Sequence, residues 1–192
     1  LKKMSSKNFK TISLRFATAA GYSPKLRLDL VFNDFVVNSI TKKEILILSN
    51  GEPWRPLIHV KDMSRAIDWA INRKNNTGGS FLAINAGSNS WNYQIKELAE
   101  GVKKVMPKVD IEINKNAAPD KRSYQVDFSL FDSLALNYTP AITLEDAVKG
   151  LVSGLDEMGF KDSNFRQSQL IRLNVLQQHR SSSRLGDNLE WI

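Results

Sequence analysis

Cysteine is absent from the 192 residues, which removes disulfides, thiolate metal ligands and a cysteine nucleophile together. Histidine occurs only as His59 and His179, too few for a multi-histidine metal site, and no carboxylates are spaced as metal ligands or as a paired acid and base. No metal is expected. No apolar run approaches the ~18 residues that a membrane-spanning helix requires, so no membrane partner is expected either. A secretion signal, with its basic start, long apolar stretch and small-residue cleavage site, is also missing, and the expected location is cytoplasmic. What is present is ordinary for a globular chain: 42% hydrophobic and 24% charged residues, in a length that suits one domain or slightly more.

The formal charge of +7 is unevenly placed. Residues 1–50 hold nine lysines and arginines against Asp29, Asp34 and Glu44. A basic end of this kind attracts anions, but it lacks the interleaved aromatics and the recognisable module of a nucleic-acid reader. Anionic small molecules are the expected ligands, and nucleic acid is not. Leu1-Lys-Lys-Met reads as the end of a helix already under way, so the chain is expected to be a piece of something longer.

Periodicity divides the chain into alternating strands and helices. Thr11 to Phe16 alternates as a strand, followed by a loop over 17–24. A helix is predicted over 28–40, a short buried strand at 45–48, an Asn50-Gly51 turn, and a strand at 57–60. Asp62 then reads as the cap of a helix whose Met63, Ala66, Ile67, Ala70 and Ile71 share one face, closed at Asn75-Asn76-Thr77-Gly78-Gly79. Phe81 to Gly87 is a strand, residues from Asn92 to 105 a helix, and Val109 to Asn114 a one-sided strand. Thr143-Leu-Glu-Asp opens a helix through Leu155 with a capping-box-like start. The remainder, 160–192, is polar, with a short helix around 170–176; His179 and the serines at 181–183 are expected in a mobile tail. Such alternation argues for α/β architecture with parallel pairing.

Four passages, in order, resemble the carboxyl-terminal half of the extended short-chain dehydrogenases, the NAD-dependent epimerase/dehydratase family. They are Leu14-Arg-Phe-Ala-Thr-Ala-Ala-Gly-Tyr-Ser-Pro-Lys-Leu-Arg27, then Asn50-Gly-Glu-Pro-Trp-Arg-Pro-Leu-Ile-His-Val-Lys-Asp62, then Phe81-Leu-Ala-Ile-Asn-Ala-Gly87, and finally Asp120-Lys-Arg-Ser-Tyr-Gln-Val-Asp127 with Tyr138-Thr-Pro behind it. The second is the most specific, being similar to the family's Gly-x-x-x-Arg-x-x-x-His-Val-x-Asp signature. The resemblance implies the last strands and helices of a Rossmann-type parallel sheet plus a small α/β substrate-binding subdomain over 1–158, with 159–192 as an extension found in one branch of the family. It implies NAD or NADP as cofactor, a nucleotide-sugar substrate, and a homodimer in the full-length protein. Two family motifs are absent: the Gly-x-x-Gly-x-x-Gly turn that meets the cofactor pyrophosphate, and the catalytic Tyr-x-x-x-Lys pair. Both lie upstream in family members, so no catalytic residue is assigned here and the chain alone is expected to be inactive.

The same resemblance marks candidate site residues, each with a plainer alternative. Arg55 corresponds to the arginine that grips the substrate diphosphate, where a guanidinium fork bonds two oxygens; it also reads as a surface arginine beside Trp54 or paired with Glu52. Arg122 stands near a place where relatives carry arginine and this chain has Ala117; otherwise it is an exposed partner of Asp120. Phe16 and Ala17 match positions lining the nicotinamide, and Thr18 matches a sugar-facing position often held by asparagine; the alternative is a loop capping a strand. Asn33 matches an amide that meets the substrate, or is a structural polar group. Arg27 lies at the pocket mouth or pairs with Asp29. His59, although it titrates near neutral pH, reads as structural, with its ring bonded to backbone. The function expected is the substrate-binding portion of an NAD(P)-dependent nucleotide-sugar epimerase or dehydratase. The alternatives are an NAD(P)-dependent reductase on a non-nucleotide substrate and a non-catalytic binding or assembly module.

Overall fold

The computed structural model describes residues 1–74, 77–114, 116–117 and 122–192. Among them, strands and helices alternate as the periodicity predicts. Strand β1 (Thr11–Phe16) is followed at once by β2 (Thr18–Ala20), helix α1 (Val31–Thr41), β3 (Glu44–Ile47), β4 (Trp54–His59) and α2 (Val60–Asn72). Then come β5 (Phe81–Ala86), β6 (Asn92–Gln94), α3 (Ile95–Val105), β7 (Asp110–Ile113), α4 (Ser129–Ala135), α5 (Leu144–Glu157) and α6 (Arg172–Ser181).

Three small sheets organise these elements. β1 and β5 pair in parallel, from Thr11 opposite Phe81 to Phe16 opposite Ala86. β4 lies between β2, parallel to it, and β6, antiparallel to it. β3 and β7 pair in parallel from Glu44–Asp110 to Ile47–Ile113. Every parallel pair is joined through helices, the crossover that parallel strands require. The mixed α/β class expected from the sequence is the class observed.

Two hydrophobic clusters hold the layers. The larger joins α1, α3 and α5 to β3: Phe32, Val36, Ile45, Leu98, Val102, Val148, Leu151 and Leu155 are all withdrawn from solvent. α1 meets this core with an apolar side and satisfies its buried polar groups internally. Asn38 donates to the Asp34 carbonyl at 2.9 Å and Ser39 to the Phe35 carbonyl at 2.7 Å. α3 starts on a reciprocal cap in which the Gln94 N–H donates to Glu97 Oε2 at 2.7 Å. α5 starts on Thr143, whose hydroxyl oxygen accepts from the Asp146 N–H at 3.1 Å. The Tyr22 ring lies directly against Gly154 on α5, where any Cβ would collide with it.

The smaller cluster packs α2 and α4 onto β5 through Ala66, Trp69, Ile84, Ala86, Phe131 and Ala135. Trp69 and Phe131 meet edge to face, with centroids 5.4 Å apart. Phe128, Phe131 and Ala135, spaced at helical intervals, bury α4, a helix that the sequence reading omits.

The structure corrects several local expectations. The loop over 17–24 contains β2, because its small residues reach the edge of β4. α1 begins at Val31, and residues 92–94 form β6 before α3 begins. Asp62 is not the cap of α2: β4 runs into the helix without a loop, so the cap falls on His59, whose Nδ1 accepts from the Lys61 N–H at 3.2 Å. Asp62 instead sits in the first turn, and its two oxygens accept from the Ala141 and Ile142 N–H groups at 3.0 and 3.2 Å. Residues 172–181 form α6, and His179 stacks edge to face on Trp191 at 5.2 Å. Asn75, Asn76 and Asp120 lie outside the described residues.

Candidate functional site

β1 ends at Phe16 and β2 begins at Thr18, so the chain turns at Ala17 from one sheet into the next. The change of sheet brings Thr18 to the wall of a cleft of about 780 Å³, within the usual range for small-molecule sites. Arg55, on β4 opposite Tyr93, and Arg122 line the same cleft. So do Asp29, Asp34 and Arg166, with Leu28, Phe35, Ile47, Ile95 and Ile171 supplying apolar surface. Three guanidiniums face two carboxylates, which leaves the lining cationic.

Arg55 is held locally. Its Nη1 donates to the Trp54 carbonyl at 2.8 Å and to the Arg122 carbonyl. The segment after Arg122 is tied back to β4 and β6: the Trp54 N–H donates to Ser123 Oγ at 3.0 Å, and Asn92 exchanges bonds with both backbone groups of Val126 at 2.9 and 3.0 Å. Arg55 and Arg122 are thereby neighbours on one framework.

The remaining candidates fall elsewhere. Phe16 packs partly into the smaller cluster, and neither it nor Ala17 lines the cleft. Asn33 is buried, 2% exposed, and its amide is occupied from both ends. Its Oδ1 accepts from the Gly21 N–H at 3.1 Å and its Nδ2 donates to the Arg27 carbonyl at 2.8 Å. It therefore shapes the loop behind the cleft wall. Arg27 pairs with Asp29, and this bond holds the Asp29 carboxyl below its usual value and the Arg27 guanidinium above its own. His59 is 5% exposed, and burial pushes its pKa down. The neutral ring accepts a backbone bond while its other edge packs against Gly21, which sits at φ +97°.

Two groups were not singled out by sequence reasoning. Asp34 lies in the first turn of α1, and burial raises its carboxyl pKa although Arg166 opposes that shift. Arg166 comes from the polar segment after α5 and donates through Nη2 to both Asp34 oxygens at 2.7 and 2.9 Å. The available signal was the interruption of a polar stretch by Phe165, Leu170 and Ile171, all of which pack on the larger core.

The alternating layers, parallel strands and cleft at a change of sheet define a Rossmann-like α/β fold. Residues 2–87 match the model of the NAD dependent epimerase/dehydratase family, in agreement with the resemblance read from the sequence. Among solved structures, UDP-glucuronic acid 4-epimerase from Bacillus cereus, in complex with UDP-glucuronic acid and NAD, is 21% identical with a TM-score of 0.60 over 76% of this chain and 45% of its own. The dTDP-glucose 4,6-dehydratase of Bacillus anthracis, in complex with NAD, is 20% identical with a TM-score of 0.60, over 76% of this chain and 44% of its own. An epimerase from Methanothermobacter thermautotrophicus is 17% identical with a TM-score of 0.62, over 81% of this chain and 45% of its own. The chain thus spans a little under half the length of the structures it matches. Among the described residues, no helix is long and apolar enough to cross a membrane, and no three His, Asp or Glu side chains gather as metal ligands.

Proposed function

We propose that this chain is the substrate-binding portion of an NAD(P)-dependent nucleotide-sugar epimerase or dehydratase, completed by a cofactor-binding region outside these residues. The observation that supports this reading is the joining of Arg55, Arg122 and Thr18 in one cationic cleft. Two arginines lining one cleft suit a diphosphate, whose paired oxygens accept from several N–H groups at once. Thr18 offers one hydroxyl, able to donate to or accept from a sugar hydroxyl in the same cleft.

NAD or NADP, when bound, would supply hydride transfer at the sugar carbon. Phe16 and Ala17 fit only one end of that cofactor. They present half-buried apolar surface at the carboxyl end of β1, the edge where ligands settle on parallel sheets, and so suit the flank of a flat ring. The sequence has no glycine-rich turn for the cofactor diphosphate, and no Tyr-x-x-x-Lys pair to move the proton. Those tasks belong to the completing region, and this chain by itself is expected to turn over no substrate.

A groove between residues 8–14 and α2 supports the same division. It is lined by Phe9, Ile12, Leu14, Ile67, Ala70 and Ile71, while β1 pairs with β5 alone among the described strands. We assign this face to contact with the cofactor-binding region.

Isothermal titration of the full-length polypeptide containing this chain tests the proposal. Arg55→Ala should weaken nucleotide-sugar binding at least ~10-fold, the scale of one lost charge-assisted contact. Unchanged affinity rejects the role. Tight binding of a bare nucleoside diphosphate favours this reading over a reductase on a non-nucleotide substrate.

A further inference from the structure

We infer that Arg166 is a ligand-binding residue of the Thr18–Arg55–Arg122 cleft, a third guanidinium that engages an anionic group of the ligand. The segment 160–171 then belongs to the substrate site. This inference rests on the nucleotide-sugar reading and adds a recognition element from outside the matched family segment, which ends at residue 87.

The guanidinium is fixed in advance. Phe165 is fully buried in the larger core, and the Arg166 guanidinium lies over its ring, 5.2 Å from the centroid. The Arg166 carbonyl accepts from Asn174 Nδ2 at 2.7 Å, and the Leu28 N–H donates to the Leu170 carbonyl at 3.2 Å. This stitches the segment to the loop that enters α1. Asp34 then aims the side chain. A charge held in place before binding loses little freedom when the ligand arrives, which is where preorganised contacts gain their affinity.

Asp34 leaves most of the donor capacity unused. Only Nη2 of Arg166 reaches the Asp34 oxygens, one of which also accepts from Asn38 Nδ2 at 3.0 Å, and neither Nη1 nor Nε has a hydrogen-bond partner among the described residues. Arg166 lines the cleft with its side chain half exposed, so these donors are accessible from it. A pair whose sole task was to neutralise Asp34 would not need a guanidinium. A lysine would supply the same charge as a point, without the planar fork. The fork matches an oxyanion, from one of two sources: the diphosphate bridge, or a carboxylate on the sugar.

Calorimetric titration of the full-length polypeptide with UDP, UDP-glucose and UDP-glucuronic acid separates these. Arg166→Lys keeps a cation beside Asp34 and removes the fork; Arg166→Ala removes both. A loss of at least ~10-fold for all three ligands in Arg166→Lys assigns the contact to the diphosphate. An equal loss confined to UDP-glucuronic acid assigns it to the carboxylate. Affinities within twofold of wild type in Arg166→Lys, whatever Arg166→Ala does, overturn the inference and leave a structural ion pair. If that result accompanies a loss in Arg55→Ala, the nucleotide-sugar reading survives alone. If the wild-type protein binds none of the three, both fall.

Discussion

The two clusters of this chain are both built on helices that bury apolar side chains, but they differ in closure. Around α1, α3 and α5 the centre of the cluster is fully enclosed: Phe32, Leu98 and Leu151 have no exposure. Around β1, β5 and α2, one side is finished by Trp69, Phe131 and Ala135, while the other leaves Phe9, Ile67 and Ile71 at 54%, 45% and 73% exposure. Ile67 and Ile71 belong to the same predicted stripe as Ala66 and Ala70. Helical periodicity therefore reports which face a helix is made to bury, and says nothing about whether the covering surface lies within the same residues. Contiguous apolar surface on one side of an otherwise ordinary protein marks a contact site.

The largest effect should come from breaking the closed side. Phe32→Ala removes a fully buried ring shared among α1, α3 and α5, and should lower unfolding stability by about 3–5 kcal/mol in urea titration. A cost below about 1 kcal/mol, the level of a surface change, would mean that this cluster is not the core.

Next is the seam between the clusters. Asp62 rises from α2 and accepts from the backbone of residues 141 and 142, just before α5, while Arg65 on the same helix donates to the Asn137 and Thr139 carbonyls at 2.8 and 3.2 Å. The seam is polar and the side-chain carboxyl has no exposure. Asp62→Ala strands two backbone donors and should cost about 2–3 kcal/mol, the scale of hydrogen bonds to a charged acceptor. Asp62→Asn, which keeps one acceptor oxygen, should recover part of it. Equal stability of the two variants would show that the seam contributes through packing alone.

The contrast between closed and open sides also explains what the sequence could reveal. β1, β4, β5, α3 and α5 were legible from their periodic stripes, helped by local signals such as Thr143 before α5 and the Asn50-Gly51 turn before β4. β2 was not, since the three residues Thr18-Ala-Ala are too few to show an alternating pattern, and the strand exists through pairing with β4. The Asp62 cap failed for a related reason. A cap is a position relative to the helix start, and tertiary continuity of β4 with α2 moved that start to His59. Arg55 and Thr18 were found through resemblance, whereas Arg166 was hidden because its partner Asp34 lies 132 residues away in sequence.

A smaller effect should appear as a pH slope. Burial lowers the His59 pKa beneath the value near 6.5 of an unfolded chain, with Asp62 opposing that shift and Lys61 adding to it. Below 6.5 the unfolded state therefore binds the proton first, and stability falls as pH drops from 6.5 toward the depressed folded value. One proton limits the slope to about 1.4 kcal/mol per pH unit. Thermal unfolding between pH 7.5 and 5 should show this decline. His59→Asn, able to accept from the Lys61 N–H through its amide oxygen without titrating, should flatten it even if overall stability is lower. An identical slope in the variant would assign the decline to other groups.

The smallest effect is expected on the open side, and it carries the most information about the comparison. In these 192 residues alone, Ile71→Ala alters a side chain that packs on little, so stability should stay within about 0.5 kcal/mol of wild type. In a full-length polypeptide whose cofactor-binding region covers the β1–α2 groove, the same substitution removes buried methyl groups and should cost about 2–5 kcal/mol. The quantity to measure is the difference between the two backgrounds, with Ile67→Ala as a second site on the same face. A difference near zero at both positions would mean that the apolar groove faces solvent in the complete protein, and the division of labour proposed between the two regions would lose its structural support.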